Sequence, residues 1–231
     1  MGDKSRIEWT DATWNPVTGC TKVSAGCKNC YAERLFPRVY PGRKFTDIQI
    51  HHDRLDQPLK WKKPRRVFVN SMSDLFHEDV PFGFIDEVFM AMAASERHIF
   101  QILTKRPERM VDYFASFDDL TRRDVLVNVW LGVSVENQDT LRDRLPLLWQ
   151  VPAAKKFISC EPLLDAIRCR WSDIDWVIVG GESGPKARPM DPEWARSIRD
   201  QCKEAGVPFF MKQMSGRAPI PDDLMIREWP T

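Results

Sequence analysis

Short apolar runs alternate along this chain with longer stretches in which apolar residues recur every three or four positions. The runs at residues 67–70 (V-F-V-N), 98–103, 129–135, 156–159, 176–179 and 208–211 read as strands. Each is a continuous apolar block, as expected for a strand covered on both faces. Residues 82–95 carry Phe84, Ile85, Val88, Phe89 and Met92 at helical spacing. Residues 31–39, 107–114 and 140–148 read as further helices, with Pro107 in an allowed first-turn position. The helix at 192–205 has the clearest ends: Asp191 as N-cap, Pro192 in first place and Gly206 as the stop. A short first strand is expected within residues 7–17. Residues 45–63 show no clear period, and the polar, proline-rich residues 216–231 are expected to form an irregular C-terminal cap.

Strands that alternate with helices imply parallel βαβ units. Six or seven such units predict an α/β fold, a partial or complete parallel (β/α) TIM-type barrel, as a single domain over residues 1–231. An open doubly wound sheet is the alternative. It is disfavoured because no glycine-rich dinucleotide fingerprint follows the first strand. In a parallel barrel the site lies at the C-terminal ends of the strands. Those ends read N-S-M-S-D (70–74), T-K-R (104–106), S-V-E-N (134–137), S-C-E-P (159–162), G-G-E-S-G (180–184) and M-K-Q-M (211–214). Glu136, Glu161 and Glu182 close three successive strands, and these ends are expected to share one cavity.

Charge changes this picture little. The 34 Lys and Arg nearly balance the 33 Asp and Glu, for a formal net charge of +1. Bulk charge therefore argues neither for nor against nucleic acid. No apolar run is long enough to span a bilayer, and the first residues lack the apolar core of a leader. A reducing cytoplasm is the expected compartment, and there clustered cysteines point to metal or catalysis rather than disulfides. The run Lys60-Trp61-Lys62-Lys63-Pro64-Arg65-Arg66 has the look of a nucleic-acid patch. It precedes a strand, however, which places it on the face opposite the expected site.

Half of the six cysteines cluster as C-x6-C-x2-C at Cys20, Cys27 and Cys30. Three thiolates leave one position open on a metal that wants four ligands. An iron–sulfur cube held by three cysteines likewise has one iron free. The rival is a structural zinc knuckle, with His51 or His52 completing a Cys3His set. Cys160, Cys169 and Cys202 are scattered and read as small buried apolar residues. Strand alternation places Cys160 on the side opposite Ser159 and Glu161.

The segments W-T-D-A-T-W-N-P-V-T-G-C, C-x6-C-x2-C-Y-A, V-N-S-M-S-D-L-F, I-L-T-K-R-P and V-G-G-E-S-G together resemble a bacterial and phage-associated three-cysteine family over nearly the whole chain. That family is similar to the radical S-adenosylmethionine superfamily, in its spore photoproduct lyase-like branch. The superfamily usually spaces its cysteines C-x3-C-x2-C, so the first gap here is longer.

The resemblance implies a 4Fe–4S cluster on Cys20, Cys27 and Cys30, with S-adenosylmethionine on the fourth iron. One electron from an electron donor protein would then yield methionine and a 5′-deoxyadenosyl radical. The implied substrate is a nucleic-acid base, modified or repaired. Ser73 and Asp74 are candidates for the amino group or ribose of the cofactor, and Ser134 and Glu136 for ribose hydroxyls. Glu161, Gly180, Gly181 and Glu182 complete the candidate cofactor set. Lys105, Arg188 and Lys212 are candidate substrate contacts, with Lys186 and Arg217 also placed for phosphates. For each strand-end residue a turn, a cap or an ion pair is the plain structural alternative. The second class of function is a non-enzymatic, zinc-stabilised module that binds nucleic acid or a partner.

Overall fold

The computed structural model describes residue 5, residues 7–116 and residues 127–231. The amino-terminal stretch read for leader character lies partly outside them. The chain enters with β1 (Ala12–Trp14), a short β2 (Val17–Thr18) and α1 (Tyr31–Val39). Residues 45–63, without a period in the sequence, form β3 (Gln49–Ile50) and two single-turn 3-10 helices, His52–Arg54 and Pro58–Lys60. Alternation then begins: β4 (Arg66–Val69), α2 (Phe82–Ala93), β5 (Ile99–Thr104), α3 (Pro107–Ala115), β6 (Val129–Ser134), α4 (Gln138–Gln150) and β7 (Lys155–Cys160). It closes with β8 (Trp176–Gly180), α5 (Pro192–Ala205) and β9 (Phe209–Gln213).

Seven strands lie in one sheet in the order β1-β4-β5-β6-β7-β8-β9. Every neighbouring pair is parallel. The sheet curls into a half-barrel with β1 and β9 at its edges, so of the two expected forms the barrel is the partial one. The short β2 pairs with β3 instead, antiparallel and outside the main sheet. Where a helix would join β7 to β8, residues 161–175 run irregularly and bury Leu163, Ile167, Trp171 and Ile174.

Strand alternation sorts the side chains into two cores. Val67, Val69, Ile102, Leu131, Val133 and Val177 face the helices in the larger one. Cys160 packs there too, on the side opposite Ser159. Phe68, Trp130, Phe157, Trp176, Ile178 and Phe210 face inward and, with Trp9, fill the floor of the half-barrel. A Cβ on Gly132 would lie 2.6 Å from the Phe157 ring, so the central strand has a glycine where that ring crosses it. The tail bridges back onto β9: Arg227 pairs antiparallel with Phe210, and the Trp229 ring lies 5.0 Å from that of Phe210.

Helix ends follow local chemistry. Asp191 caps α5 by accepting from the Glu193 N–H at 2.9 Å, and Gly206 ends it at φ +69°. Asn137 and Thr140 form a capping box that starts α4 earlier than its apolar period indicates. The basic run before β4 carries a buried Trp61, with the Arg65 guanidinium 5.0 Å over its ring. Among the described residues no helix is long and apolar enough to cross a membrane.

Gly132→Ala should overpack the floor and destabilise the fold by about 1–3 kcal/mol. Urea denaturation checks this, and Phe157→Leu in the same chain should recover part of the loss by clearing space for the added methyl.

Candidate active site

The loop between β2 and α1 lies across the C-terminal edge of the sheet and carries the three clustered cysteines. Its entry is fixed by Gly19, at φ +96°, whose N–H donates to the Met72 carbonyl at 3.1 Å. A Cβ there would lie 2.6 Å from the Asp47 carbonyl oxygen. Cys30 stands just before α1, and Tyr31 opens the helix with its hydroxyl on the Ser71 carbonyl at 2.7 Å. The only regular piece of the loop is the 3-10 turn Ala25–Cys27. Most of its side chains are exposed or half-buried, so little apolar surface holds it down.

Strand-end carboxylates do that instead. Asp74 accepts from Thr104 Oγ1 at 2.8 Å and from the Lys105 N–H at 3.0 Å, and lies 3.6 Å from Arg106. Arg106 in turn donates to Thr21 Oγ1 at 2.7 Å and to Cys20 Sγ at 3.6 Å. Glu136, fully buried, accepts from Ser24 Oγ at 2.7 Å and pairs with Arg144 at 3.3 Å. Gly26 passes directly over it, for a Cβ there would lie 2.4 Å from Glu136 Oε1. Glu182 accepts from Asn29 Nδ2 at 2.8 Å and from Arg188 Nη2 at 2.6 Å, while the same Nη2 reaches the Ala25 carbonyl at 2.9 Å.

These contacts set the local charge balance. Burial opposes the Glu182 charge, but the Arg188 side chain and N–H and the Asn29 amide outweigh it and hold the carboxyl at about 2. Burial and then the Asp74 carboxylate push the Cys20 thiol up to about 12, against the pull of Arg106. Such a thiol stays protonated at neutral pH until a metal displaces the proton.

Two adjoining clefts, each of about 140 Å³, open at the strand ends. Cys20, Cys27 and Cys30 line the first, together with Asn70, Ser73, Asp74 and Arg106. The second runs past Cys30 to Glu161, Gly181, Glu182 and Lys212. Lys105, Ser134, Tyr31 and Leu103 line both. Of the predicted cofactor set, Ser73, Asp74, Ser134, Glu161, Gly181 and Glu182 thus reach this space. Gly180 lies behind Glu161, where a Cβ would come within 2.6 Å of Glu161 Oε1. Glu136 lies beneath Gly26, against the loop. Of the predicted substrate contacts, Lys212 pairs with Glu161 at 2.6 Å and Arg188 with Glu182.

All three clustered thiols are free and half-buried. Among the described residues no three His, Cys, Asp or Glu side chains are grouped to hold one metal ion. His51 is bonded to Thr18 Oγ1 at 2.9 Å and His52 to Glu87 at 2.9 Å, and neither lines the clefts. A single ion would draw all three thiols together, whereas a cluster takes one thiolate per iron, and cysteine is its usual ligand. Asn70 adds a second observation. It is 3% exposed at φ +62°, lines the cysteine cleft, and its Nδ2 has no partner among the described residues. A buried donor without an acceptor is costly, and a polar ligand in the cleft would supply one. The donor set and this orphan amide fit a three-cysteine cluster with a small polar molecule beside it.

Sequence reasoning missed Arg106, Arg144, Asn29, Ser24 and Asn70. Arg106 stood in the quoted T-K-R strand end, but its reach to Cys20 is a tertiary fact. The second cysteine set was also missed as a set. Burial, then the nearness of Cys202 and Cys169, raises the Cys160 thiol well above its ordinary value. Those three line the core between β7 and α5 rather than the clefts.

The half-barrel has the fold of spore photoproduct lyase. A cysteine-to-serine mutant of that enzyme matches with a TM-score of 0.52 at 13% identity, over 91% of this chain and 58% of that one. A second mutant, with bound AdoMet and dinucleoside spore photoproduct, matches with a TM-score of 0.51 at 12% identity, over 87% of this chain and 56% of that one. The chain therefore spans less than two thirds of the length of either structure. It belongs to the DUF5131 family, described as a protein of unknown function, which it matches over residues 4–222. No curated protein matches the chain.

The Glu182 contacts predict a pH dependence. Its carboxyl is depressed in the fold, from an ordinary 4.5 to about 2. The stability it contributes is complete above about pH 4.5 and is lost as pH falls towards about 2. Urea titrations across that window should show this loss, and Glu182→Gln should flatten it. Glu136→Gln leaves the Arg144 charge buried without its partner and should cost about 3–5 kcal/mol. Faster alkylation of Cys27 in the folded variant would report the loosened loop.

Proposed function

We propose that this chain is a radical S-adenosylmethionine enzyme. Cys20, Cys27 and Cys30 hold a 4Fe–4S cluster, and the strand-end clefts receive S-adenosylmethionine. One observation carries this reading: three half-buried free thiols face one strand-end cleft of a parallel half-barrel. When bound, the reduced cluster supplies one electron that cleaves S-adenosylmethionine to methionine and a 5′-deoxyadenosyl radical, which removes a hydrogen atom from substrate. Everything else falls to the chain. Asn70 offers its free N–H to an acceptor on the cofactor. Ser134, between the two clefts, is placed for a ribose hydroxyl. Trp9, Phe68 and Leu103 form an apolar wall that excludes water from a reactive species. Lys105 faces both clefts and can meet a phosphate.

A nucleic-acid base is the proposed target, supported by the dinucleoside held in one structural neighbour. A base within a duplex would have to leave its stack to reach clefts of this size. An electron donor protein is the implied partner.

Anaerobic reconstitution tests the reading. The protein should take up about four irons and four sulfides, held by cysteine. Cys20→Ala, Cys27→Ala or Cys30→Ala should abolish uptake, and Cys169→Ala should not. One tightly held zinc with no iron would rule the reading out. With a reductant and S-adenosylmethionine the loaded protein should release 5′-deoxyadenosine. Oligonucleotides at low salt should speed that release, because phosphate contacts contribute most there. Cleavage that ignores every nucleic acid would remove the proposed substrate and keep the enzyme class.

A further inference from the structure

Arg106 follows β5 and is 7% exposed. Its Nη2 donates to Thr21 Oγ1 at 2.7 Å and to the Thr21 carbonyl at 3.2 Å, and its Nε to Glu78 Oε2 at 3.1 Å. Its Nη1 donates to Cys20 Sγ at 3.6 Å and lies 3.6 Å from Asp74 Oδ2. His77 holds the same loop residue in place. Its Nδ1 accepts from the Asp79 N–H at 3.1 Å, so its Nε2 carries the proton and donates to Thr21 Oγ1 at 2.8 Å. A fixed positive charge is thus pinned, out of water, against one of the three candidate ligand sulfurs. Among the described residues Cys27 by contrast is hydrogen-bonded only to the Ser24 hydroxyl, at 3.9 Å.

We propose that Arg106 sets the reduction potential of the cluster held by Cys20, Cys27 and Cys30, by donating to the Cys20 sulfur; this rests on the cluster reading above. Reduction adds one electron from an external one-electron reductant, and no bond forms or breaks. The reduced unit is more negative by one charge. A donor and a cation at a ligand sulfur favour that state, and hydrogen bonds to sulfur are among the terms that set such potentials. Arg106 therefore raises the potential and makes the cluster easier to reduce. Glu78 works against it. Its carboxylate neutralises part of the guanidinium charge from a side chain that is 62% exposed. The opposed signs separate this role from mere anchoring of the loop, because an anchor has no reason to move the potential in both directions.

The experiment is a redox titration of the reconstituted, iron-loaded full chain, followed by absorbance and electron paramagnetic resonance, with iron content measured alongside. Arg106→Gln should move the midpoint to more negative potential, with at least a tenfold loss of reduced to oxidised cluster at fixed potential, ~59 mV for one electron. Glu78→Gln should move it the other way and by less, since an exposed charge is screened. Iron-loaded variants that share the wild-type midpoint would overturn the inference while leaving the cluster reading intact. Wild type that takes up no iron would overturn the cluster reading itself, and this inference with it. If Arg106→Gln fails to retain iron, Glu78→Gln decides alone: a midpoint that is unchanged or more negative overturns the proposal.

Discussion

The cysteine loop is held at the sheet edge by hydrogen bonds to charged side chains at three different strand ends, and the site depends on them. Asp74 works through Arg106 to Thr21, Glu136 binds Ser24, and Glu182 binds Asn29. Each carboxylate also has its own guanidinium, in Arg106, Arg144 and Arg188. Buried ion pairs of this kind contribute little net stability, because desolvation offsets most of the attraction. Their effect is on geometry. An unpartnered charge at any of these positions would be costly, so few alternative placements of the loop are open to it.

An apolar anchor would serve this loop poorly. Lys22, Val23, Ala25 and Lys28 are exposed, and the one turn it contains buries no residue. What it offers the protein is a short hydroxyl, an amide and backbone carbonyls, and carboxylates and guanidiniums are the groups that match them. Gly26 shows how close the approach is. Any side chain there would meet Glu136, so the loop and the end of β6 are in direct contact. Three thiols carried on one short loop are thereby referenced to β4, β6 and β8 together.

Much of the architecture was legible because its causes are local. Continuous apolar runs marked the strands, the helical period marked α2, and Asp191 with Gly206 marked the ends of α5. Alternation alone placed Cys160 away from the clefts, among the helix-facing residues. The strand ends were likewise readable as a shared polar edge. Their partners were not. Ser24 lies 112 residues from Glu136, and Asn29 lies 153 from Glu182. Nothing in the local pattern says which of many polar residues such a carboxylate will meet. The same holds for Cys160, Cys169 and Cys202, scattered in sequence and brought together only in the fold, where the 161–175 segment is bonded to Gln201 of α5. The closure of the barrel was also undecided, since edge pairing between β1 and the last strand leaves no mark in either segment.

The inner face of the half-barrel changes character along its strands, and this bears on which cation an anionic ligand would meet. Deep in the sheet the inward positions are Phe68, Trp130, Phe157 and Trp176, a floor that holds no charge. Near the C-terminal edge they become Ser134, Glu161 and Lys212, with Gly180 leaving room for the Glu161 side chain. Lys212 is tied to Glu161 at 2.6 Å, and Arg188 to Glu182 at 2.6 Å. To bind a phosphate, either would have to be drawn from a largely buried carboxylate, which would then be left without its cation. Lys105 faces both clefts, and among the described residues no carboxylate is paired with its side chain. Of Lys105, Arg188 and Lys212, it is the one an incoming anion can engage without breaking an existing pair. The other two hold the frame in which Lys105 and the cysteine loop face each other.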